Sequence, residues 1–420
     1  MISLLFGSFF ALLILGLPIA VAIGLTVLVV LYTFDIPLIV ATQRMFAGTD
    51  SFPLVAIPFF ILAGDLMAKG KVSEKMVQFA DALLGFVKGG LWVVAVLASM
   101  FFAAISGSGA ATTAAVATPL LPELKKKGYD PARSAALIAA GGCIGVIIPP
   151  SVPMVLYCVI ADQSVARLFL NGFLPGVMMG AILIAIGLYI AMKNNYPHGA
   201  ELSLKNIVKT FRDAIWGLAT PLIILGGIFS GYFTPSEAAV IAVDYALFVS
   251  LFIYRDMNWR EILQIFMRSA ITMSIIMFII STSAAMGWVM ANWQIPKLIA
   301  QSVLEVSTNK YILLLLINTV VFIAGFFMET ASALILLTPV FLPLVQQLGI
   351  DLIHFGVMMV LGLSIGMVTP PVAINLYVAS TVSGLSIEEI SKAVIPMVIG
   401  LLIVLILVTY LPLVFTGMIL

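Results

Sequence analysis

Two short runs carry residue types that can hold a bare monovalent cation. Ser106, Ser108, Thr112 and Thr113 lie in the run SGSGAATT, while Gly325, Thr330 and Ser332 lie in GFFMETAS. A dehydrated Na⁺ needs several oxygens, which at membrane depth can come from hydroxyls and from the carbonyls of unwound backbone. Each run is followed by an apolar helix that the sequence interrupts. IGVIIPPS places Gly145, Ile148 and Pro150 opposite the first run, and IGMVTPPV places Gly366 and Thr369, with Asn375 just beyond, opposite the second. Proline has no N–H and clashes with the preceding turn, so carbonyls ahead of it lose their donors. The simpler reading of Gly, Ser and Thr is close helix packing. Pairing with a proline break, repeated in both halves, favours cation coordination.

Glu329 stands in the second run within an otherwise apolar region. A carboxylate inside a membrane is costly, which makes it a functional candidate. A second reading is a cap on the following helix, where a negative charge meets the positive helix end. The two are compatible. Asp244, in VIAVDYALF, is another acid with apolar flanks, but it lies away from both runs and reads as a packing partner. Arg44 falls in a loop before a short Pro-containing helix and reads as a positioning residue.

The two groupings are copies of one unit. Residues 102–180 realign onto 322–400 with one extra residue in the second copy, matching Thr118-Pro119 to Thr338-Pro339, Gly128 to Gly349, Asp130 to Asp351, Pro149-Pro150 to Pro370-Pro371 and Pro175 to Pro396. Such duplication with helices broken at matching places points to a transport site near the bilayer midplane. Composition sets the surroundings: 62% hydrophobic and 9% charged residues, with a mean hydropathy of +1.21, leave too little polar surface for water, so the solvent is lipid. A net charge of +1 argues against nucleic acid. Cys143 and Cys158 read as two buried small hydrophobes. The N-terminal apolar run continues to about residue 33 without a basic leader, which predicts a retained helix.

Apolar segments fall near 2–33, 53–68, 91–122, 134–160, 168–192, 213–232, 236–254, 267–290, 311–345, 354–382 and 394–417. In 91–122 the small-residue run leaves about 15 residues before it, roughly 22 Å of helix and too short to cross comfortably. Segment 311–345 is divided the same way. The expected fold is therefore an all-α polytopic membrane protein with two re-entrant helical hairpins, 91–122 and 311–345, each followed by a broken helix, 134–160 and 354–382. Domain boundaries follow: N-terminal scaffold helices 1–90, a first transport repeat 91–192, scaffold and connecting helices 193–310, and a second transport repeat 311–420.

Lysine and arginine orient the copies. Lys69, Lys71, Lys75 and Lys88 precede the first hairpin, and Lys125, Lys126, Lys127 and Arg133 follow it, so its base faces the cytoplasm. Lys193, Lys205, Lys209 and Arg212, then Arg255, Arg260 and Arg268, mark two further cytoplasmic loops. The second hairpin has no Lys or Arg from 311 to 391 and opens outward. Five spans separate the hairpins, an odd number, so the repeats are inverted and their tips approach from opposite faces.

An enzyme is not expected. The two histidines, His198 and His354, are far apart in loop-like contexts, and no metal-ligand spacing, Walker loop or dinucleotide loop occurs. No catalytic residue and no cofactor are assigned. An ion gradient is the natural energy source.

FFAAISGSGAATTAAVATPLLPELKKKGYD, GVIIPPSVPMVLYCVIADQSVARLFLNGFLPG, GFFMETASALILLTPVFLPLV and IGMVTPPVAINLYVAS resemble the large (M, DctM-type) membrane subunit of tripartite ATP-independent periplasmic (TRAP) transporters, over essentially the whole chain. The resemblance implies a Na⁺-driven importer of organic-acid anions, of the C4-dicarboxylate or sialic acid type, in the bacterial inner membrane. It implies an elevator motion in which hairpins and broken helices move against a scaffold. Two partners are implied, a small four-helix membrane subunit (Q), expected as a separate polypeptide, and a soluble periplasmic substrate-binding protein (P). One family Na⁺ site falls on Ser106, Ser108, Gly145, Ile148 and Pro150, and the other on Gly325, Thr330, Gly366 and Thr369. Thr112, Glu329, Ser332 and Asn375 remain as candidates for substrate contact. Some relatives carry an acid where Thr112 stands and an Asp where Glu329 stands. The alternative is a stand-alone Na⁺/carboxylate or anion permease that needs no binding protein.

Overall fold

Prolines, glycines and capping acids divide the apolar sequence into helices. The computed structural model describes every residue except 70, 198–201, 308 and 415–420; His198 lies outside the described residues. Among the described residues there are nineteen α-helices and no strand. The N-terminal part comprises α1 (Ile2–Ile14), α2 (Ile19–Thr33), α3 (Ile39–Thr49), α4 (Ala56–Lys69, preceded by a 3₁₀ turn at Phe52–Val55) and α5 (Lys71–Leu84). The first repeat follows as α6 (Gly90–Ser106), α7 (Gly109–Lys126), α8 (Pro131–Gly142, running into a 3₁₀ turn at Cys143–Val146), α9 (Val152–Ala161) and α10 (Val165–Lys193). Then come α11 (Leu204–Phe229), α12 (Pro235–Phe248, continued by a π-helical turn at Val249–Ile253), α13 (Trp259–Asn292) and α14 (Ile295–Val306). The second repeat is α15 (Lys310–Phe327), α16 (Thr330–Gln347), α17 (Leu352–Gly366), α18 (Ile374–Ser383) and α19 (Ile387–Val414). Eight helical segments among the described residues are long and apolar enough to cross a membrane.

The repeat is visible in its punctuation. Gly128 and Gly349 adopt φ of +77° and +65°, which end α7 and α16 where a side chain would be strained. Two residues later Asp130 accepts the Arg133 N–H at 2.8 Å, and Asp351 accepts those of Ile353 and His354 at 2.8 and 3.0 Å, starting α8 and α17. Pro175 and Pro396 sit inside α10 and α19. The Pro149-Pro150 and Pro370-Pro371 bonds are both cis.

The two copies interlock. After its break, α9 of the first repeat packs on α16 of the second, and α18 of the second packs on α7 and α8 of the first. The last helices also exchange, α10 lying against α17 and α19 against α8. This crossing over is what brings the two hairpin turns into one neighbourhood. Elsewhere α4 packs on α12 and α13, while α1–α3 form a satellite core with the C-terminal part of α13.

Four local expectations need correction. The N-terminal run is two helices, not one, because Gly16 at φ +81° and Pro18 interrupt it. Arg44 lies within α3, not in a loop, with its guanidinium 5.2 Å from the Trp288 ring centroid. His354 is in the first turn of α17, buried, with Nε2 2.9 Å from the Val408 carbonyl; it is not in a loop. Arg268 lies inside α13, well beyond the loop it was expected to mark. The amphipathic α5 and α14 fall outside the apolar segments because their polar residues lower the mean hydropathy.

Candidate functional site

At the first hairpin, α6 ends at Ser106, Gly107 turns with φ +59°, and Ser108 caps α7 by accepting the Ala111 N–H at 3.4 Å. The Ser106 hydroxyl is buried, 2.7 Å from Thr112 Oγ1, and also reaches the Ser108 carbonyl at 3.2 Å. The break in the next helix has a stereochemical cause. The residues four beyond Gly145 and Val146 are Pro149 and Pro150, neither of which has an N–H to offer. The Val146 carbonyl is instead taken by Ser151 Oγ at 2.6 Å, and the Val152 N–H turns to the Gly107 carbonyl at 3.4 Å, tying the break to the hairpin turn. A side chain at Gly145 would overlap Thr112 Oγ1 and the Ser108 carbonyl. Ser106, Ser108, Thr112, Gly145 and the Pro150 carbonyl are thus gathered in one place. Ile148 contributes backbone to the same break but turns its side chain onto Gly176 of α10.

The second hairpin repeats this plan with different residues. Glu329 occupies the capping position, its Oε2 accepting the Ala331 and Ser332 N–H groups at 3.1 and 3.3 Å. The cap is thus the role that its geometry carries. Residues four beyond Gly366 and Met367 are Pro370 and Pro371. Here the Met367 carbonyl accepts the Asn375 N–H at 3.0 Å, and the Val372 N–H turns to the Phe326 carbonyl at 3.0 Å. Gly325 and Gly366 meet backbone to backbone. Thr369 Oγ1 donates to the Ile365 carbonyl at 3.0 Å, and Thr330 Oγ1 is buried with no hydrogen-bond partner among the described residues. Ser332 is buried in the first turn of α16.

Asn375 does not join that group. Its side chain crosses to the first repeat, where Nδ2 donates to the Ala139 carbonyl at 3.2 Å and Oδ1 lies beside Gly109 without a hydrogen-bond partner among the described residues.

Both turns line a single cavity of about 1310 Å³. Ser106–Ala111 and Glu329–Ala331 line it from the hairpins, and α4 and α13 line it with Ile61, Asp65, Ile265 and Arg268, α4 also packing on the first turn where Gly64 meets the Ser106 backbone. The exposed charges Lys69, Glu74, Glu123 and Arg268 lie on its open side. Asp65 accepts a hydrogen bond from Ser269 Oγ at 2.7 Å. Asp65 is not among the residues expected from the sequence, although an acid inside the run AIPFFILAGDLMAK is a signal for it. Among the described residues no three His, Cys, Asp or Glu side chains gather as a metal cluster, so the cavity's oxygens are hydroxyls, carbonyls and isolated carboxylates. Such a set suits a hard monovalent cation. Asp244 is exposed on α12 and does not line the cavity.

Comparison with known proteins agrees with this architecture. A family model described as "Tripartite ATP-independent periplasmic transporter, DctM component" matches residues 6–414. The C4-dicarboxylate TRAP transporter large permease protein DctM of Pseudomonas aeruginosa is 41% identical over 369 residues, which cover 88% of this chain and 86% of that protein. The isethionate TRAP transporter permease protein DctMQ of Oleidesulfovibrio alaskensis is 40% identical over 413 residues, covering 98% of this chain but 65% of the relative, so the chain spans just under two thirds of that longer protein. The crystal structure of the Alcanivorax borkumensis YdaH transporter superposes with a TM-score of 0.63 at 14% identity, covering 90% and 88% of the two chains, which is a likeness of fold. A duplicated, proline-broken helical fold with this extent of sequence identity makes the chain a multi-pass membrane protein of the DctM family, a component of tripartite ATP-independent periplasmic transporters.

Proposed function

We propose that the chain is the Na⁺-driven permease subunit of an organic-anion importer in the bacterial inner membrane. The observation that carries this reading is the convergence of both hairpin turns, each backed by a proline break, on one cavity. Ser106, Ser108, Gly145, Ile148 and Pro150 supply one Na⁺ site; Gly325, Thr330, Gly366 and Thr369 supply the other. Of the four candidates for substrate contact Glu329 lines the cavity, while Thr112, Ser332 and Asn375 are buried behind the turns and would act on substrate through the groups they hold. A single Na⁺ moving down 100 mV supplies about 2.3 kcal/mol.

Repeats 91–192 and 311–420 form the moving body, and 1–90 with 193–310 form the scaffold. The hairpins are re-entrant in this reading. The arms of the second are 18 residues each, long enough to span by length alone. Their turn, however, rests on the middle of a broken helix, which supports a tip at mid-depth. The cavity opens beside Lys69 and Glu123, near the Lys125–Lys127 run, which by the positive-inside rule is the cytoplasmic side. This conformation is then the one that releases substrate inward. Relatives are named for isethionate and for C4-dicarboxylates, which supports a small organic anion as cargo. The tripartite description of the family and the DctMQ name support two partners, a small four-helix membrane subunit and a periplasmic binding protein.

The test is reconstitution of the chain with both partners in liposomes under an imposed Na⁺ gradient, with a panel of dicarboxylates, sialic acids and sulfonates. Uptake should require the gradient and the binding protein. Uptake without the binding protein would instead make the chain a stand-alone permease. A Ser106→Ala, Ser108→Ala double variant should need more Na⁺ for half-maximal uptake; an unchanged Na⁺ dependence would remove these residues from the site.

A further inference from the structure

The α13 wall of the cavity carries a charge that no step above uses. Gln264, Arg268 and Thr272 recur every fourth residue along α13 and all line the cavity. On other faces of the same stretch Leu263, Phe266, Met267 and Ile271 are exposed apolar side chains, as lipid requires. A polar stripe on one face of a lipid-flanked helix marks the side that meets water or a ligand. Ion pairs among the described residues join Lys75 to Asp213 and Lys127 to Glu123, which leaves the Arg268 guanidinium without a carboxylate partner. Asp65 is near enough to feel its charge, but the Asp65 carboxylate takes its hydrogen bond from Ser269.

We propose that Arg268 is the residue in this cavity that recognises the substrate's oxyanion, a carboxylate or a group of like shape, from the scaffold wall. Its planar fork of N–H donors matches the two oxygens of such a group, which a lysine would meet only as a point charge. The other cation on the lining is Lys69, whose ammonium offers no such fork. Asp65 keeps this station weak, because its negative charge offsets part of the attraction and lets the anion leave. Arg268 belongs to α13, not to the hairpins, so it would meet the substrate only while the hairpins stand at this level. The station is therefore specific to the release side of the cycle. The inference rests on the organic-anion reading above.

The experiment measures the field at the site without needing the substrate's identity. Thr272→Cys places a thiol one turn from Arg268 on the same face, and the native Cys143 and Cys158 are both buried. The chain in lipid nanodiscs is treated separately with sulfonatoethyl and trimethylammonioethyl methanethiosulfonate, probes of charge −1 and +1. The ratio of their reaction rates reports the local potential. Adding Arg268→Gln should lower the anion-to-cation ratio at least threefold, Arg268→Lys should leave it within twofold, and Asp65→Asn should raise it at least threefold. If Arg268→Gln does not give monodisperse protein, the Lys and Asn variants decide. A ratio that shifts by less than threefold in the Gln variant, or in the Asn variant when that alone is available, overturns the proposal. Labelling does not depend on transport, so absence of Na⁺-driven uptake in the reconstitution would defeat the transport reading while leaving this result to stand.

Discussion

Replacing Gly366 with Ala should damage the proposed second cation site more than any nearby polar substitution. An added Cβ at Gly366 would stand 2.3 Å from the Gly325 carbonyl oxygen, 2.4 Å from its carbonyl carbon and 2.6 Å from its Cα. Ordinary contact begins at 3.4 Å, so two backbones must part by about 1 Å, and neither is a flexible side chain that could swing away. Overpacking of this kind costs about 2–3 kcal/mol. The same displacement separates Gly325 from the break at Gly366 to Pro371, and with it the oxygens that would surround a cation. Where all of that cost falls on the ion-bound arrangement, 1.4 kcal/mol per decade converts it to an increase of about 30- to 140-fold in the Na⁺ concentration for half-maximal uptake. The assay is uptake against Na⁺ concentration in proteoliposomes, with the thermal midpoint of the purified protein followed by size-exclusion chromatography. Gly226→Ala is the control, since nothing lies within 4 Å of its added carbon in the interior of α11; it should change stability by less than about 1 kcal/mol and leave transport alone. A Gly366→Ala variant with wild-type Na⁺ dependence and thermal midpoint would refute the claim that this close approach builds the site.

Glu329→Gln keeps an acceptor for the Ala331 and Ser332 N–H groups but removes the charge, and should cost under about 1 kcal/mol of stability; unaltered rate and pH profile of uptake would make the charge purely structural. Glu329→Ala removes the cap itself and should cost about 1–2 kcal/mol, read as a lower thermal midpoint. Asn375→Leu breaks the bond to the Ala139 carbonyl that joins the repeats and should destabilise by about 1–3 kcal/mol; a neutral result in thermal melting would show that the contact is incidental. Lys75→Gln should do almost nothing to the melt, because the 3.5 Å pair with Asp213 is formed by side chains 27% and 39% exposed, and such pairs contribute about 0–1 kcal/mol.

Much of the fold was legible because it rests on local stereochemistry. The consecutive prolines Pro149-Pro150 and Pro370-Pro371 each remove two successive donors and break their helices, whereas the single Pro175 and Pro396 are accommodated inside α10 and α19. Gly128 with Asp130, and Gly349 with Asp351, stop one helix and start the next within a few residues. Hydropathy separated most spans for the same reason: it sums over neighbours in sequence. It fails at α5 and α14, and at Arg268, whose charge lies on a helix face that lines a cavity and not in a loop.

What the chain determined by itself was the duplication, the two small-residue turns, the matched breaks and the lipid solvent, all consequences of residue type and spacing. Tertiary structure alone decided which elements meet. Only the exchange of α9 onto α16 and of α18 onto α7 brings the two turns to one cavity and sends Asn375 into the opposite repeat, and only the packing of α4 and α13 brings Asp65 and Arg268 to that cavity. Those contacts join residues up to hundreds of positions apart, where spacing along the chain carries no information about distance in space.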